Sequence, residues 1–188
     1  MIYTPPPAPL LELAHEVAAC ATVNHVEVTA SQVTVIDYSL PSTAPRLWVI
    51  DLGTDAVVYQ SRVAHGRNSG EDLANSFSNR SGSLQTSLGV FRTAETYQGQ
   101  HGLSLRLDGL EPGFNDAARS RSIVIHGADY VSDSFVAEHG RAGRSWGCPA
   151  LPETVIHKLV PAIAGGQLLI AWYPDANWLD GSHFLHCG

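Results

Sequence analysis

Cys148 stands in Ser145-Trp146-Gly147-Cys148-Pro149, and His126 closes the apolar run Ile123-Val124-Ile125 with Gly127 behind it. A cysteine attacks as its thiolate. At an ordinary pKa of about 8.5 only a few per cent is ionised at neutral pH, so a nucleophilic cysteine needs a base or a positive setting. A strand-end histidine beside a glycine, which lets another segment approach closely, is the natural base if the fold brings the two together. Ser-x-Gly-Cys at a turn into a helix would set the backbone N–H groups of Trp146, Gly147 and Cys148 around the sulfur, where they would hold an oxyanion during acyl transfer. The competing readings are a buried structural cysteine and a histidine that only satisfies a backbone carbonyl.

Other chemistries fit less well. The nine histidines include His183 and His186 beside Cys187 and the scattered His101, His126 and His139. They show neither His-Glu-x-x-His nor paired Cys-x-x-Cys spacing, so no metal and no other cofactor is expected. There is no Gly-x-Gly-x-x-Gly and no Gly-Lys-Ser/Thr, and the single lysine, Lys158, falls in a predicted helix. A phosphate-binding loop is thereby excluded, and a Ser–Lys dyad is disfavoured. The three cysteines at 20, 148 and 187 permit a Cys20–Cys187 disulfide with Cys148 free, or two unpaired buried thiols.

The net charge is −7, yet nine of the ten arginines fall within residues 61–148. Arginine's planar fork suits carboxylates and phosphates. Without a polybasic run, nucleic acid and acidic membranes are poor partners for this chain. Apolar stretches such as Leu168 to Trp172 are far shorter than the ~20 residues of a membrane helix, so no membrane insertion is expected.

The elements that must position Cys148 and His126 read as mainly β with a few packing helices. After prolines at 5–9, Leu10, Leu13, Ala14, Val17 and Ala21 give a helical stripe. Strands are predicted at 33–38, 47–52, 56–64, 89–93, 103–107, 122–126 and 167–173. Residues 66–87 read as a long ordered loop. Short helices are expected at 115–119 and 132–138, and a longer one from Pro152 to about Ala164, kinked or cut short by Pro161. Residues 175–188 carry no regular signal. The division is an N-terminal extension and helix over 1–30, a catalytic domain over 31–174 and a tail over 175–188.

His126-Gly127 followed by Ser145-Trp146-Gly147-Cys148 resembles the signature of YkuD-type L,D-transpeptidases, in which His-Gly precedes Ser-His-Gly-Cys by some twenty residues. Thr86-Ser87-Leu88-Gly89-Val90-Phe91 is similar to the family's Thr-Pro-x-Gly-x-Phe strand start, and Gly143 to Ala150 resembles the variant murein L,D-transpeptidase branch. The resemblance covers roughly residues 75–173. Trp146 replaces the family's histidine, and Ala150 replaces the arginine usually found two residues after the cysteine.

The resemblance implies a YkuD-like β-sandwich or barrel acting on peptidoglycan stem peptides. Cys148 would be the nucleophile and His126 the base. The carbonyl of Gly127 would orient the imidazole, Ser145 would support the loop, and amides of the Gly147 turn would form the oxyanion hole. Arg144 would take the role of the missing arginine, with Arg141, Arg92 and Arg80 behind it and Trp146 beside the substrate. The family works outside the cytoplasm, which implies a periplasmic or envelope location although no signal peptide is visible, and a monomer is expected. A cysteine hydrolase of the same fold and a silent wall-binding module stay open as alternatives. Products formed with water would mark the first, and a Cys148 thiol inert to electrophiles the second.

Overall fold

The computed structural model describes residues 3–28 and 31–187, so the expected domain boundary after residue 30 lies partly outside the described residues. In chain order the helices are α1 (Ala8–Val23), α2 (Asp133–His139), α3 (Glu153–Ile163) and α4 (Ala176–Gly181). The strands are β1 (Gln32–Asp37), β2 (Leu47–Asp51), β3 (Ala56–Ser61), β4 (Gly89–Gly99), β5 (Gly102–Gly109), β6 (Val124–Ala128), β7 (Ala150–Pro152) and β8 (Leu168–Trp172). The eight strands among the described residues form one sheet in the order β3-β2-β1-β8-β4-β5-β6-β7.

The two ends of that order meet. Just beyond β3, the Ala64 N–H donates to the Ala150 carbonyl of β7 at 2.8 Å, an isolated antiparallel bridge that curls the sheet toward closure. The interior is filled by Val35, Ile36, Leu47, Ile50, Val90, Leu105, Leu107, Ile125 and Ile170, all fully buried. These β-branched and leucine side chains suit a pleated surface, and adjacent Val35 and Ile36, which point to opposite faces, show that both faces of β1 are covered. The predominantly β architecture expected from the sequence is the one observed.

Helix α1 starts at the end of the proline cluster, where Pro supplies a helical φ without losing an internal hydrogen bond. It buries Leu10, Leu13, Ala14, Val17, Cys20 and Ala21. Helix α3 lays Ile156, Leu159, Val160 and Ile163 into the core. Pro161 lies within the last turn of α3. The helix stops two residues later, with the Ala164 N–H closing on the Val160 carbonyl. Helix α2 is capped by the Ser132 hydroxyl and ended by Gly140 at φ 71°.

Several segments differ from the sequence expectation. Residues 94–99 continue β4, with a register shift against β5 between Thr93 and Thr96. The stretch 115–119 forms successive turns rather than a helix. β6 begins two residues later than expected and runs through Ala128. The tail is also ordered: in α4 the Trp178 side chain is fully buried, and its Nε1–H donates to Glu111 Oε2 at 2.9 Å. The Glu111 carboxylate accepts further from the Val90 N–H and the Ser182 hydroxyl, which fixes the C-terminal segment beside β4. Cys20 and Cys187 form a disulfide with Cα atoms 5.7 Å apart, and Cys148 is the free thiol.

Candidate active site

His126 lies in β6 opposite Ser104 of β5 and Ala150 of β7. Its ring is buried, and Nδ1 lies 2.9 Å from the carbonyl oxygen of Gly127. A carbonyl can only accept, so Nδ1 carries the proton and Nε2 is left as the acceptor. The ring of His101, at the tip of the β4–β5 hairpin, stacks on it with centroids 4.4 Å apart. Burial pushes the His126 pKa below the usual imidazole value. The Gly127 hydrogen bond opposes that, and the neighbouring His101 adds to it.

Cys148 follows a turn held by Ser145. The Ser145 hydroxyl donates to the Cys148 carbonyl at 2.6 Å and accepts from the Gly147 N–H at 3.1 Å. Gly147 has φ 124°, and a Cβ there would lie 2.8 Å from the Gln85 carbonyl oxygen. Glycine is therefore required both by conformation and by space. The turn is also stitched to a distant segment: the Ser145 N–H donates to the His65 carbonyl at 3.0 Å, and the Arg67 N–H donates to the Ser145 carbonyl at 2.8 Å.

The sulfur receives the Val124 N–H at 3.5 Å and faces the Ser122 carbonyl at 3.5 Å. Burial raises the Cys148 pKa above the ordinary thiol value, opposed by the Val124 N–H and the charge of Arg121. A raised thiol and a lowered imidazole together favour the neutral resting pair over a thiolate–imidazolium pair.

Cys148 and His126 line one cavity of about 510 Å³, along with His101, Arg121, Tyr130 and Trp146. Trp146 is 74% exposed at that cavity, large and apolar where solvent reaches it. Ser145 and Arg144 also line it. The Arg144 guanidinium, however, is already bound to Glu71 at 2.9 Å and to the carbonyls of Arg67 and Gly70. Arg141 pairs with the other Glu71 oxygen at 3.2 Å. Arg92 sits in β4, its buried Nε without a partner, and Arg80 is exposed on the 66–87 loop. Arg80, Arg92 and Arg141 are absent from the cavity wall.

Three local expectations are corrected. Cys148 does not turn straight into a helix, because β7 intervenes before α3 starts at Glu153. The Gly147 N–H is committed to Ser145, so it is not a free donor for an oxyanion. In addition, a Cβ on Gly127 would meet only ordinary contacts at 3.5 Å, so close approach is not what that position demands. Arg121, His101 and Tyr130 went unselected from sequence. Each comes from a different loop or turn, and nothing in their local spacing marks them.

The family model described as L,D-transpeptidase catalytic domain matches residues 9–172. The chain belongs to that family. Among solved structures, an L,D-transpeptidase from Mycobacterium smegmatis is similar at 15% identity over 77% of this chain and 59% of its own, with a TM-score of 0.47. The helical cell shape determining protein Pgp2 from Campylobacter jejuni shares 12% identity over 87% of this chain and 57% of its own, with a TM-score of 0.50. An L,D-transpeptidase from Stackebrandtia nassauensis shares 12% identity over 88% of this chain and 68% of its own, with a TM-score of 0.46. This L,D-transpeptidase-family domain thus spans less than two thirds of the length of the first two. No curated protein matches it. Among the described residues, no helix is long and apolar enough to cross a membrane.

Proposed function

We propose that this domain is a cysteine L,D-transpeptidase of peptidoglycan stem peptides. The observation that carries the reading is the shared cavity of Cys148 and a neutral His126 whose Nδ1 proton is held by Gly127, within a chain of this family. Nε2 of His126 takes the thiol proton as sulfur attacks the carbonyl on the L-centre side of an L,D-peptide bond. The tetrahedral oxyanion collapses, the C–N bond breaks, and the Nε2 proton passes to the departing amine of the D-residue. The product is a thioester on Cys148. An amine of a second stem then attacks the thioester, and its surplus proton returns through His126 to the sulfur as the crosslink forms.

Backbone amides of Trp146 and Cys148, rather than that of Gly147, are the oxyanion donors in this scheme. Ser145 supports the turn. Arg144 stands at the wall of the stem-peptide site and Trp146 beside it, while Arg141, Arg92 and Arg80 stay outside the cavity. The Cys20–Cys187 disulfide supports an oxidising compartment, in keeping with a periplasmic or envelope location and a monomeric domain meeting its wall substrate.

Incubation with purified disaccharide-tetrapeptide, followed by mass spectrometry, tests the reading. Dimers that lose D-Ala in the wild type and vanish in Cys148→Ala are expected. Loss of D-Ala without dimers would make the domain a hydrolase. Full activity in Cys148→Ala would end the proposal.

A further inference from the structure

Arg121 lines the cavity with Cys148 but belongs to no part of the Ser-x-Gly-Cys motif. Its guanidinium is gripped on four sides. Nη1 donates to the Ser78 carbonyl at 2.8 Å and the Ser87 hydroxyl at 2.6 Å, and Nη2 donates to the Ser83 hydroxyl at 3.0 Å and the Gln85 carbonyl at 2.8 Å. Every one of these acceptors is neutral. They fix the position of the charge without cancelling it, in contrast to Arg144, which Glu71 neutralises.

The fixed charge lies beside the nucleophile. Nη2 is 3.4 Å from where a Cβ on Gly147 would stand, so the guanidinium packs directly against the turn that delivers Cys148. The following residues, Ser122 and Val124, supply the two backbone contacts of Sγ. One short segment therefore brings a carbonyl and an amide to the sulfur and a net positive charge to the turn beside it.

We propose that Arg121 is a positioning residue that acts as the fixed counter-charge of the Cys148 thiolate. The inference rests on the reading of Cys148 as the nucleophile. A partly buried thiol is harder to ionise, and a half-buried guanidinium held nearby offsets part of that penalty. The other titratable groups around the sulfur do not replace it. His126 in β6 is held neutral, Tyr38 after β1 and Tyr130 before α2 are pushed upward by burial and stay protonated, and Arg144 is paired.

The test is the pH dependence of Cys148 alkylation by iodoacetamide, read by mass spectrometry on the intact, disulfide-bonded domain. Arg121→Met is expected to move the alkylation midpoint upward and slow the reaction at pH 7.5 by about three- to tenfold, one pKa unit being tenfold in thiolate. Arg121→Lys, which keeps the charge but loses the fork, is expected to restore most of the wild-type midpoint. Arg119→Met, whose ion pairs lie away from the cavity, is the control. An unshifted midpoint in Arg121→Met, or equal shifts in the Met and Lys variants, would overturn the proposal. If the Met variant fails to fold, the Lys variant decides alone: a wild-type midpoint sustains the counter-charge, and a raised one refutes it. Iodoacetamide needs no wall substrate. A domain inactive on stem peptides but showing this arginine-dependent thiol would therefore refute the transpeptidase reading and leave the counter-charge standing.

Discussion

In the proposed reaction, the work of His126 lies in the placement of one proton. Because the Gly127 carbonyl holds it on Nδ1, the ring would offer Nε2 as a base without any tautomer change. His101 helps to keep that ring uncharged. Replacing it in His101→Phe is expected to raise the His126 pKa. The acid limb of the kcat/KM profile would then move to higher pH, since more of the base is protonated at each pH. An unmoved limb would assign the depression to burial alone. Gly127 contributes its carbonyl, and its missing side chain is incidental. Gly127→Ala is expected to keep kcat/KM within about threefold of wild type, because the added methyl meets only ordinary contacts. At this scale the sequence singled out Cys148 and His126 by residue type, and the fold brings both to one cavity. Arg121 was not readable, because its meaning comes from four acceptors scattered over residues 78–87.

Among the elements, the cysteine turn is the least tolerant. Gly147→Ala places a methyl against the Gln85 carbonyl at a positive φ. It is expected to lower kcat/KM by about a hundredfold, as displacement of a nucleophile by an ångström does, and to cost roughly 1–3 kcal/mol of stability. Equal activity in the alanine variant would show that the turn relaxes freely. Seven of the strands and the two long helices were legible because their apolar periods are strong, whereas the three-residue β7 was not. α4 was hidden because a six-residue helix shows too little periodicity, and its anchor is a buried carboxylate far upstream. Removing that anchor in Glu111→Ala leaves the Val90 and Trp178 N–H groups and the Ser182 hydroxyl unpaired. A loss of about 3–5 kcal/mol in chemical denaturation is expected, with the Trp178 fluorescence changing as its indole loses its acceptor.

For the molecule as a whole, two long-range ties set stability. The Cys20–Cys187 bridge closes a sequence separation of 167 residues, and Cys20→Ser is expected to cost roughly 2–5 kcal/mol, measured by denaturant unfolding without reductant. The second tie is the fully buried Arg46, which donates to the Val63 and Leu40 carbonyls and to Nδ1 of His65 at 2.8 Å. Burial, with the Arg46 charge, lowers the His65 pKa to about 4. The unfolded histidine titrates near ~6.5, so below that pH the unfolded chain binds the extra proton first. The His65 contribution to stability is therefore expected to fall by roughly 3 kcal/mol as pH drops from about 6.5 to about 4, and to change no further below. The loss should be smaller in His65→Asn, whose amide oxygen can still accept from Arg46. His65 also passes its carbonyl to the Ser145 N–H, and Ala64 beside it bridges to Ala150. The turn before Cys148 is thus tied on one side only when two ends of the sheet, remote in sequence, have joined, and contacts of such range form slowly. During refolding, the moment at which Cys148 acquires its native rate toward an electrophile would time the closing of the sheet, a clock built into the thiol itself.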